Sequence, residues 1–412
     1  MRYASNSRTL ASVININLNQ PLLPEKTEAM SSEESPELTA RKTFSSATPL
    51  PAGSPAAVQV GERFFTSGIV SDRTGGLESE SHRVFQLIAE LLRNSGISSG
   101  DVVRTRIWHT SEDGAAAESM LRIVHGVIFQ HPGPALTIVQ VERLPGGVEV
   151  SVELEAIAGS ADSSTKYESD FESSSSLAVQ VDGELWTSGL RGDPTGDPEA
   201  QVRQAVGDAE GLMKRAGVGE GDIVSTRHFM RHDVQFVAGP PEWLAFKEPS
   251  IPTSAGIAVS GVGGSGYAFT FEMEAVPGAA DGRTNLRSGR TFEVEHNYCR
   301  AVLVGDGDVI YVAGTTSLTP GEILQHPIDV GLQVADTLEI IKWAVTELGF
   351  EWDDLIQTRT YVVGGDEAII EAVSSLEKSL PHKKVANTVV GVPVLGRPEV
   401  VIEIEARAVR AS

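Results

Sequence analysis

The chain contains an internal repeat, because three short landmarks recur three times in the same order. The first landmark is a small-residue turn after an apolar run, and its glycines are Gly68, Gly189 and Gly314. The second is a Thr-Arg pair, and its arginines are Arg106, Arg227 and Arg359. The third is an acidic closing strand, and its last glutamates are Glu155, Glu274 and Glu405. Fixed-order self-similarity of this kind constrains the architecture before any local feature is considered.

The spacing of the landmarks supports a tandem triplication. From the turn glycine to the arginine the copies span 38, 38 and 45 residues, and from the arginine to the last glutamate 49, 47 and 46. Shifts in composition set the predicted boundaries. Residues 1–42 form a Ser-, Pro- and Glu-rich arm expected to be flexible, followed by repeat 1 (43–160), repeat 2 (161–280) and repeat 3 (281–412).

Each repeat predicts the same α+β order of elements. A hairpin opens the repeat, an amphipathic helix follows with apolar residues such as Val84, Leu87 and Ile88, and a glycine ends that helix. The Thr-Arg strand, a second helix and two closing strands complete the unit. In repeat 2 the second helix is interrupted near Pro240 and Trp243, so repeat 2 is predicted to be an eroded copy.

Composition excludes several classes of function. The net charge of −23 opposes binding to nucleic acid and to anionic membranes, and no apolar run has the length of a membrane span. The single Cys299 excludes an internal disulfide and a Cys-rich zinc site and fits a reducing, cytoplasmic location. The Gly-rich stretch 261–266 lacks the lysine and helix of a phosphate-binding loop. We therefore expect no metal, no cofactor, and no nucleic-acid or membrane partner.

Three segments together resemble the RidA/YjgF family. They are the Thr-Ser-Gly turn (66–68), the Asp-Val-Val-x-Thr-Arg strand (101–106) and the closing Glu-x-Glu-Ala-Ile-Ala (153–158). The resemblance covers all three repeats, and repeat 3 is the nearest to one subgroup of the family through its segments 298–302 and 312–316. It implies a chorismate-mutase-like sheet with two helices on one face. Because relatives assemble as trimers with sites between subunits, three linked copies imply an intramolecular pseudo-trimer whose clefts are free to diverge. We expect a monomer or a weak dimer.

The resemblance also implies an activity and its residues. Relatives of known activity hydrolyse imines or enamines, using an arginine after a Pro-Ala pair to bind the substrate carboxylate and a glutamate of the last strand to position water or move a proton. This sequence departs from that pattern, because Leu136, Ser254 and Asn387 occupy the arginine position. The aromatic residue near the start of the unit is kept only as Tyr298. The usual deamination chemistry is therefore not the direct expectation.

The candidate residues follow from the repeat and the resemblance. The candidate catalytic residues are Glu405, Tyr298, Glu155 and Glu274. The candidate substrate-binding residues are Ser67, Gly68, Arg106, Ser188, Gly189, Arg227, Arg300, Thr315, Thr316, Arg359 and Arg397. Two structural alternatives stay open: the glutamates are simply polar strand residues, and the Thr-Arg arginines form ion pairs inside a trimer-like core. The latter alternative is favoured because the motif is present in the eroded repeat.

Three functions are compatible with these features. The first is a small-molecule enzyme that hydrolyses or rearranges an imine-like or unsaturated metabolite in a cleft between repeats, with Glu405 as acid or base and Tyr298 and Thr315 lining the site. The second is a chorismatase-like hydrolase or lyase, because chorismatases are also built on RidA-like units and segment 314–317 resembles their turn. The third is a binding protein without turnover. In each case the partner is a small molecule.

Overall fold

The computed structural model describes residues 41–412 except 47–49, 74, 170–171, 235–245, 305–307, 382–383 and 411–412. Repeat 1 has the predicted order of a hairpin, helix, strand, helix and two strands. Its elements are β1 (Lys42–Phe44), β2 (Ala57–Val60), β3 (Arg63–Thr66), α1 (Leu77–Ser95), β4 (Val102–His109), α2 (Gly114–Ile128), β5 (Ala135–Gln140) and β6 (Val150–Ile157).

Repeat 2 follows the same order up to its second helix. Its elements are β7 (Thr165–Ser169), β8 (Glu172–Val181), β9 (Glu184–Thr187), α3 (Pro198–Ala216), β10 (Ile223–Arg231), β11 (Thr253–Val259) and β12 (Phe269–Ala275). The interruption that the sequence predicts near Pro240 and Trp243 lies outside the described residues, as does nearly all of the predicted N-terminal arm.

Repeat 3 is complete and begins with two short additional helices. Its elements are α4 (Ala279–Gly282), β13 (Thr284–Leu286), α5 (Thr291–Glu295), β14 (Ala301–Val304), β15 (Val309–Thr315), α6 (Val330–Glu347), β16 (Leu355–Val363), α7 (Asp366–Ser379), β17 (Ala386–Val392) and β18 (Ile402–Val409). Single 3₁₀ turns lie at Pro51–Gly53, Ser99–Asp101, Pro145–Gly147, Glu220–Asp222 and Trp352–Asp354.

The three repeats share one strand order. It runs β2-β3-β6-β4-β5 in repeat 1, β8-β9-β12-β10-β11 in repeat 2 and β14-β15-β18-β16-β17 in repeat 3. In each repeat, the closing strand pairs antiparallel with the hairpin on one side and with the Thr-Arg strand on the other. The Thr-Arg strand in turn pairs in parallel with the strand that precedes the closing strand in the sequence. A parallel β5–β8 contact joins the sheets of repeats 1 and 2, whereas repeat 3 has its own sheet. The tandem α+β prediction is confirmed.

The helices cover one face of each sheet and bury its apolar side. The predicted stripe of α1, which includes Val84, Leu87 and Ile88, is buried, and the corresponding stripe of α6 packs against β18. Gly96 ends α1 in the left-handed conformation, as predicted. On α7, Ile369 is buried, whereas its neighbour Ile370 is 67% exposed. The opposite sheet faces carry Arg106, Arg227 and Arg359.

Candidate functional site

The Thr-Arg arginines form a closed cycle of ion pairs with glutamates of the closing strands. Each arginine binds the glutamate of another repeat through its Nε: Arg106 binds Glu272 (2.9 Å), Arg227 binds Glu405 (2.8 Å) and Arg359 binds Glu153 (3.0 Å). Each also contacts the glutamate of its own repeat, at 2.7 Å (Arg106–Glu153), 3.0 Å (Arg227–Glu272) and 3.4 Å (Arg359–Glu405). All six side chains are buried. We call these six residues the central ring.

The central ring surrounds the Glu405 carboxylate with ion-pair and hydrogen-bond partners. Burial by itself would raise the pKa of Glu405, but Arg227, Arg359 and the Tyr361 hydroxyl lower it to about 2. The carboxylate is therefore ionised and bound by three side chains, an arrangement suited to holding repeats 2 and 3 together. The structure does not support Glu405 as the acid or base, or Arg106, Arg227 and Arg359 as substrate ligands, since their charges already face one another.

Strand pairing corrects the alignment of the closing strands between repeats. Arg106 lies opposite Glu153 and Arg227 opposite Glu272, but Arg359 lies opposite Glu405. Glu405 is therefore equivalent in position to Glu153 and Glu272. The sequence motifs alone align it with Glu155 and Glu274, which lie two residues further along the closing strand. The residue equivalent to Glu155 and Glu274 is Arg407: Phe65 pairs with Glu155, Trp186 with Glu274 and Tyr311 with Arg407.

Glu155 and Glu274 also form buried ion pairs. Arg104 contacts both carboxylates, and Arg407 binds Glu155 at 3.0 Å and Glu274 at 2.6 Å. Burial raises the pKa of each carboxyl, but Arg104 and Arg407 outweigh it and lower both pKa values. Both carboxylates thus belong to a buried ion-pair network that joins the three repeats.

The turn glycines lie in three clefts between repeats. In the first cleft, the Gly68 N–H donates to the Asn387 carbonyl of repeat 3 (3.3 Å), and Ser67 Oγ accepts from the Asn387 N–H. In the second cleft, the Gly189 N–H, next to Ser188, donates to the Leu136 carbonyl of repeat 1 (3.3 Å). Leu136 and Asn387, which occupy the positions of the family's arginine, thus contribute backbone hydrogen bonds across these two clefts.

A salt-bridge cluster also blocks the second cleft. Glu118 of α2 binds Arg191, which follows the Gly189 turn, at 2.8 Å, and binds Arg122 at 2.8 Å. The Gly264 N–H donates to the same carboxylate. Burial raises the pKa of Glu118, but the two arginines lower it to about 2. This cleft thus contains one ionised carboxylate paired with two guanidinium groups.

The third cleft, between the Gly314 turn of repeat 3 and β11 of repeat 2, contains Glu403. The equivalent residues in the other clefts are Ser151 and Thr270, each beside its own turn glycine. Glu403 is 9% exposed, and no hydrogen bond or ion pair involves its carboxyl among the described residues. Burial and the nearby Glu405 raise its pKa to about 8, although Arg300 opposes the rise. Glu403 is therefore mainly protonated at pH 7.

Arg300 organises the residues around the Gly314 turn, beside Glu403. Its guanidinium donates to the Gly314 carbonyl (2.8 Å), Thr315 Oγ1 (2.9 Å) and the Tyr298 hydroxyl (3.1 Å) and pairs with Glu293 of α5 (3.0 Å). The equivalent positions in repeats 1 and 2 are Ala56 and Leu177, as the hairpin pairing shows. Three residues predicted to bind substrate or act in catalysis, Tyr298, Arg300 and Thr315, are thus brought together around one cleft.

The remaining predicted residues lie at the edge of this group. The Thr316 carbonyl accepts from buried Arg290 (3.1 Å), and the exposed Arg397 donates to the Glu322 carbonyl. Cys299 is buried, and burial raises the pKa of its thiol to about 12, which fits an unreactive thiol. The sequence reasoning did not identify Glu403, Glu293 or Arg290. Within the described residues no group of His, Cys, Asp and Glu has the arrangement of a metal site.

Comparison with known proteins identifies the family. The family model described as "Endoribonuclease L-PSP" matches residues 46–160 and 289–410. The chain therefore belongs to this family, which includes the RidA/YjgF proteins. No curated protein matches the chain.

Solved structures show similarity at two scales. A chorismatase structure covers 75% of this chain and 93% of its own, with 12% identity and a TM-score of 0.50, which supports the fold. A YjgF/YER057c/UK114 family protein from Mycobacterium tuberculosis is 31% identical over 31% of this chain and 98% of its own, with a TM-score of 0.27. A Rid-family protein from Yersinia pestis is 26% identical over 31% of this chain and 98% of its own, with a TM-score of 0.24.

Proposed function

We propose that the protein is a small-molecule enzyme acting in the third cleft, where Glu403 is the general acid and base. The substrate is an imine-like, enamine-like or otherwise unsaturated metabolite that is hydrolysed or rearranged. One observation carries the proposal: the Glu403 carboxyl is buried where the Gly314 turn of repeat 3 meets Ala255 of repeat 2, it has no partner among the described residues, and its pKa is raised to about 8. Perturbed carboxyls in clefts are characteristic of acid–base sites.

The protonation state of Glu403 suits hydrolysis of a carbon–nitrogen double bond. Protonated Glu403 donates its proton to the imine nitrogen as water adds to the imine carbon. The resulting carboxylate then takes a proton from the added water, which leaves a neutral carbinolamine. Glu403 donates this proton to the amine nitrogen and takes the hydroxyl proton as the carbon–nitrogen bond breaks, which releases ammonia and a carbonyl compound. A pKa near the working pH allows both proton transfers.

The other cleft residues position the substrate. Tyr298, Thr315 and Gly314 are held by the Arg300 guanidinium, which contributes positive charge beside the Glu403 carboxyl. Ser254 of repeat 2 occupies the position of the family's arginine, and its neighbour Ala255 approaches Gly314. Because the Arg300 guanidinium is itself paired with Glu293, its role is to orient Tyr298 and Thr315. This geometry favours substrates other than those of the usual family site.

An imine-breakdown assay tests the proposal. An amino-acid oxidase generates imines from a panel of amino acids, and their decay is followed with the wild type, Glu403→Gln and Thr270→Val. We expect faster decay with the wild type, a loss of about 100-fold or more in Glu403→Gln, and unchanged decay in Thr270→Val, which alters the equivalent position of the second cleft. Equal activity in Glu403→Gln and the wild type would refute the assignment of Glu403.

A chorismatase-like reaction is the second candidate, favoured by the similarity to the chorismatase fold over three quarters of this chain. Incubation with chorismate followed by product analysis distinguishes it: a new product that depends on Glu403 supports this reaction in place of imine hydrolysis. Absence of turnover with both substrate classes, together with saturable ligand binding, would favour the binding protein. The family description names RNA cleavage, but the net charge of −23 opposes RNA binding.

The ring of ion pairs also supports a proposal about assembly. Because each repeat contacts both others through a buried Arg–Glu pair, we propose that the chain is a monomeric pseudo-trimer that acts in the cytoplasm. None of the helices in the described part of the chain has both the length and the hydropathy needed to cross a bilayer. Light scattering should give the mass of one chain; a stable higher assembly would refute the monomer.

A further inference from the structure

Seven arginines are buried in the described part of the chain, and one of them differs from the rest in its partners. Six form ion pairs with buried glutamates: Arg104, Arg106, Arg227, Arg300, Arg359 and Arg407. Arg290 is 4% exposed and forms no ion pair with any described carboxylate; its hydrogen bonds go to the carbonyls of Thr316 (3.1 Å) and Leu318. A buried guanidinium without a counter-ion is costly. Arg290 therefore indicates a binding site for an anion.

The charges around Arg290 leave it uncompensated. Arg300 lies close enough to repel it, and Arg300 is itself paired with Glu293. Burial and this repulsion lower the pKa of Arg290 to about 10, although Tyr298, Glu293 and Glu322 oppose the change. Arg290 therefore remains cationic at pH 7, and Glu293, the carboxylate paired with Arg300, balances one of two neighbouring guanidinium groups.

Arg290 also has hydrogen-bond donors to offer. Both of its hydrogen bonds are made by Nη2. Its Nε is enclosed without a partner, whereas Nη1 has no partner among the described residues and is not enclosed. A guanidinium with free N–H groups is suited to binding a carboxylate.

Arg290 and Glu403 are close enough to contact one small molecule. Arg290 binds the Thr316 carbonyl, the Glu403 carboxyl lies against Gly314, and two residues of chain span at most roughly 7 Å. Both groups also affect the pKa of Tyr298, which burial raises: Glu403 adds to the rise and Arg290 opposes it. A ligand bound beside Gly314 can therefore meet the carboxyl at one end and the guanidinium at the other.

The third cleft is more open at this point than the first cleft. Its wall in repeat 2 consists of the small residues 254–256 (Ser-Ala-Gly), where strand pairing places Leu-Thr-Ile (136–138) in repeat 1 and Asn-Thr-Val (387–389) in repeat 3. Gly256 is exposed, and Ser254, Gly314 and Thr316 are partly exposed. Their counterparts in the first cleft are buried, namely Val389, Asn387, Gly68 and Val70. Solvent, and with it a solute, therefore reaches the Gly314 turn.

We propose that Arg290 binds the carboxylate of the substrate in the third cleft through its free Nη1 donors. The inference rests on the proposed function of this cleft, and it narrows the substrate to an imine-like or unsaturated metabolite that carries a carboxylate. Arg290 lies just before α5, one of the two short helices added in repeat 3, whereas the position of the family's arginine in this cleft is Ser254 of repeat 2. The carboxylate is thus bound from the side of repeat 3.

Isothermal titration calorimetry tests the inference with three acids, pyruvate, 2-oxobutanoate and benzoate, each compared with its primary amide. Acid and amide have nearly the same shape and differ by one negative charge. The proteins are the wild type, Arg290→Gln, Arg290→Lys and Arg397→Gln, and thermal unfolding checks that each is folded. Arg397→Gln is the matched control, because Arg397 is exposed and donates to the Glu322 carbonyl in the loop after the Gly314 turn.

We expect at least one acid to bind the wild type with saturation and at least about tenfold more tightly than its amide. This preference should fall to about threefold or less in Arg290→Gln, persist in weakened form in Arg290→Lys and stay unchanged in Arg397→Gln. A purely structural role of Arg290 would weaken acid and amide alike. Equal binding of acids and amides by the wild type overturns the inference without reference to any variant, and so does a preference that persists in Arg290→Gln or, if that variant does not fold, is undiminished in Arg290→Lys.

The same titrations with Glu403→Gln separate this inference from the proposed function, because binding does not require turnover. If Glu403→Gln breaks down imines as fast as the wild type but the preference for acids still depends on Arg290, the acid–base role fails and the anion site stands. If turnover depends on Glu403 but acids and amides bind equally, the anion site fails and the acid–base role stands.

Discussion

The second and third clefts occupy equivalent places between repeats but contain opposite electrostatic arrangements. In the second, Glu118 is ionised and paired with two arginines, with a pKa of about 2. In the third, Glu403 has no such partner among the described residues, and its pKa is about 8. The comparison shows how linking three copies in one chain lets a cleft become structural while another keeps a chemically available carboxyl.

The largest expected loss of stability follows from a substitution in the central ring, and it is compared with a substitution in a cleft. Glu405→Gln removes the charge that binds Arg227 and Arg359 and leaves two buried guanidinium groups less compensated. We expect a loss of about 3–5 kcal/mol in the free energy of unfolding, measured by urea denaturation at pH 7. Ser151→Ala, at the first-cleft position equivalent to Glu403, should change it by less than about 1 kcal/mol. A small effect of Glu405→Gln would show that the ring does not hold the repeats together.

The pH dependence of stability is the next test. Glu403 has a raised pKa in the folded state, so its contribution to stability is complete below about pH 4.5 and is lost as the pH rises through 8. The free energy of unfolding of Glu403→Gln, taken relative to that of the wild type, should therefore rise by roughly 3–5 kcal/mol from pH 5 to pH 9. Urea denaturation at both values measures the change. A pH-independent difference would contradict the raised pKa.

Two glycine substitutions sharpen the comparison between clefts. A Cβ on Gly314 would overlap the Glu403 carboxyl, whereas a Cβ on Gly189 would lie 2.6 Å from Thr270 Oγ1. We expect both alanine variants to lose roughly 1–3 kcal/mol of stability. Catalytic efficiency should fall only in Gly314→Ala. If Gly189→Ala lowers activity equally, the reaction is not confined to the third cleft.

The smallest expected effect concerns the blocked cleft. Glu118→Gln weakens the contacts with Arg191 and Arg122, and we expect a loss of about 1–2 kcal/mol at pH 7. The lowered pKa of Glu118 makes its contribution present above about pH 4.5 and lost as the pH falls through 2. The difference from the wild type should therefore shrink between pH 5 and pH 2.5. A constant difference would exclude the ion pairs as its cause.

The repeated elements of the fold could be predicted from the sequence because their signals are local. The stripe of α1 and the glycine that ends this helix depend on residues close in the chain. The Thr-Arg pairs likewise predicted ion pairs in a trimer-like core as one alternative. Which repeat binds which could not be predicted, because the cycle joins Arg359 to Glu153, 206 residues apart.

The carboxyl that we propose as acid and base was not among the candidates because strand register is not visible in a motif. Matching the closing motifs by their letters aligned Glu405 with Glu155, but the ladder pairs Arg359 with Glu405 and Arg106 with Glu153. The sequence does carry one signal: from the Thr-Arg arginine to Glu153, Glu272 and Glu405 the spacings are 47, 45 and 46, which is more uniform than the 49, 47 and 46 to Glu155, Glu274 and Glu405. A two-residue offset keeps a strand's side chains on the same face, so only the partners reveal it.

The titration of Glu403 tests the central claim most directly. The side-chain carboxyls of ¹³C-labelled glutamate can be followed by NMR from pH 4 to pH 10 in the wild type and in Glu403→Gln. We predict one glutamate that titrates near pH 8 in the wild type and is absent from the variant. If every glutamate titrates below pH 5, or if the signal near pH 8 persists in Glu403→Gln, the third cleft does not contain the carboxyl acid that its proposed chemistry requires.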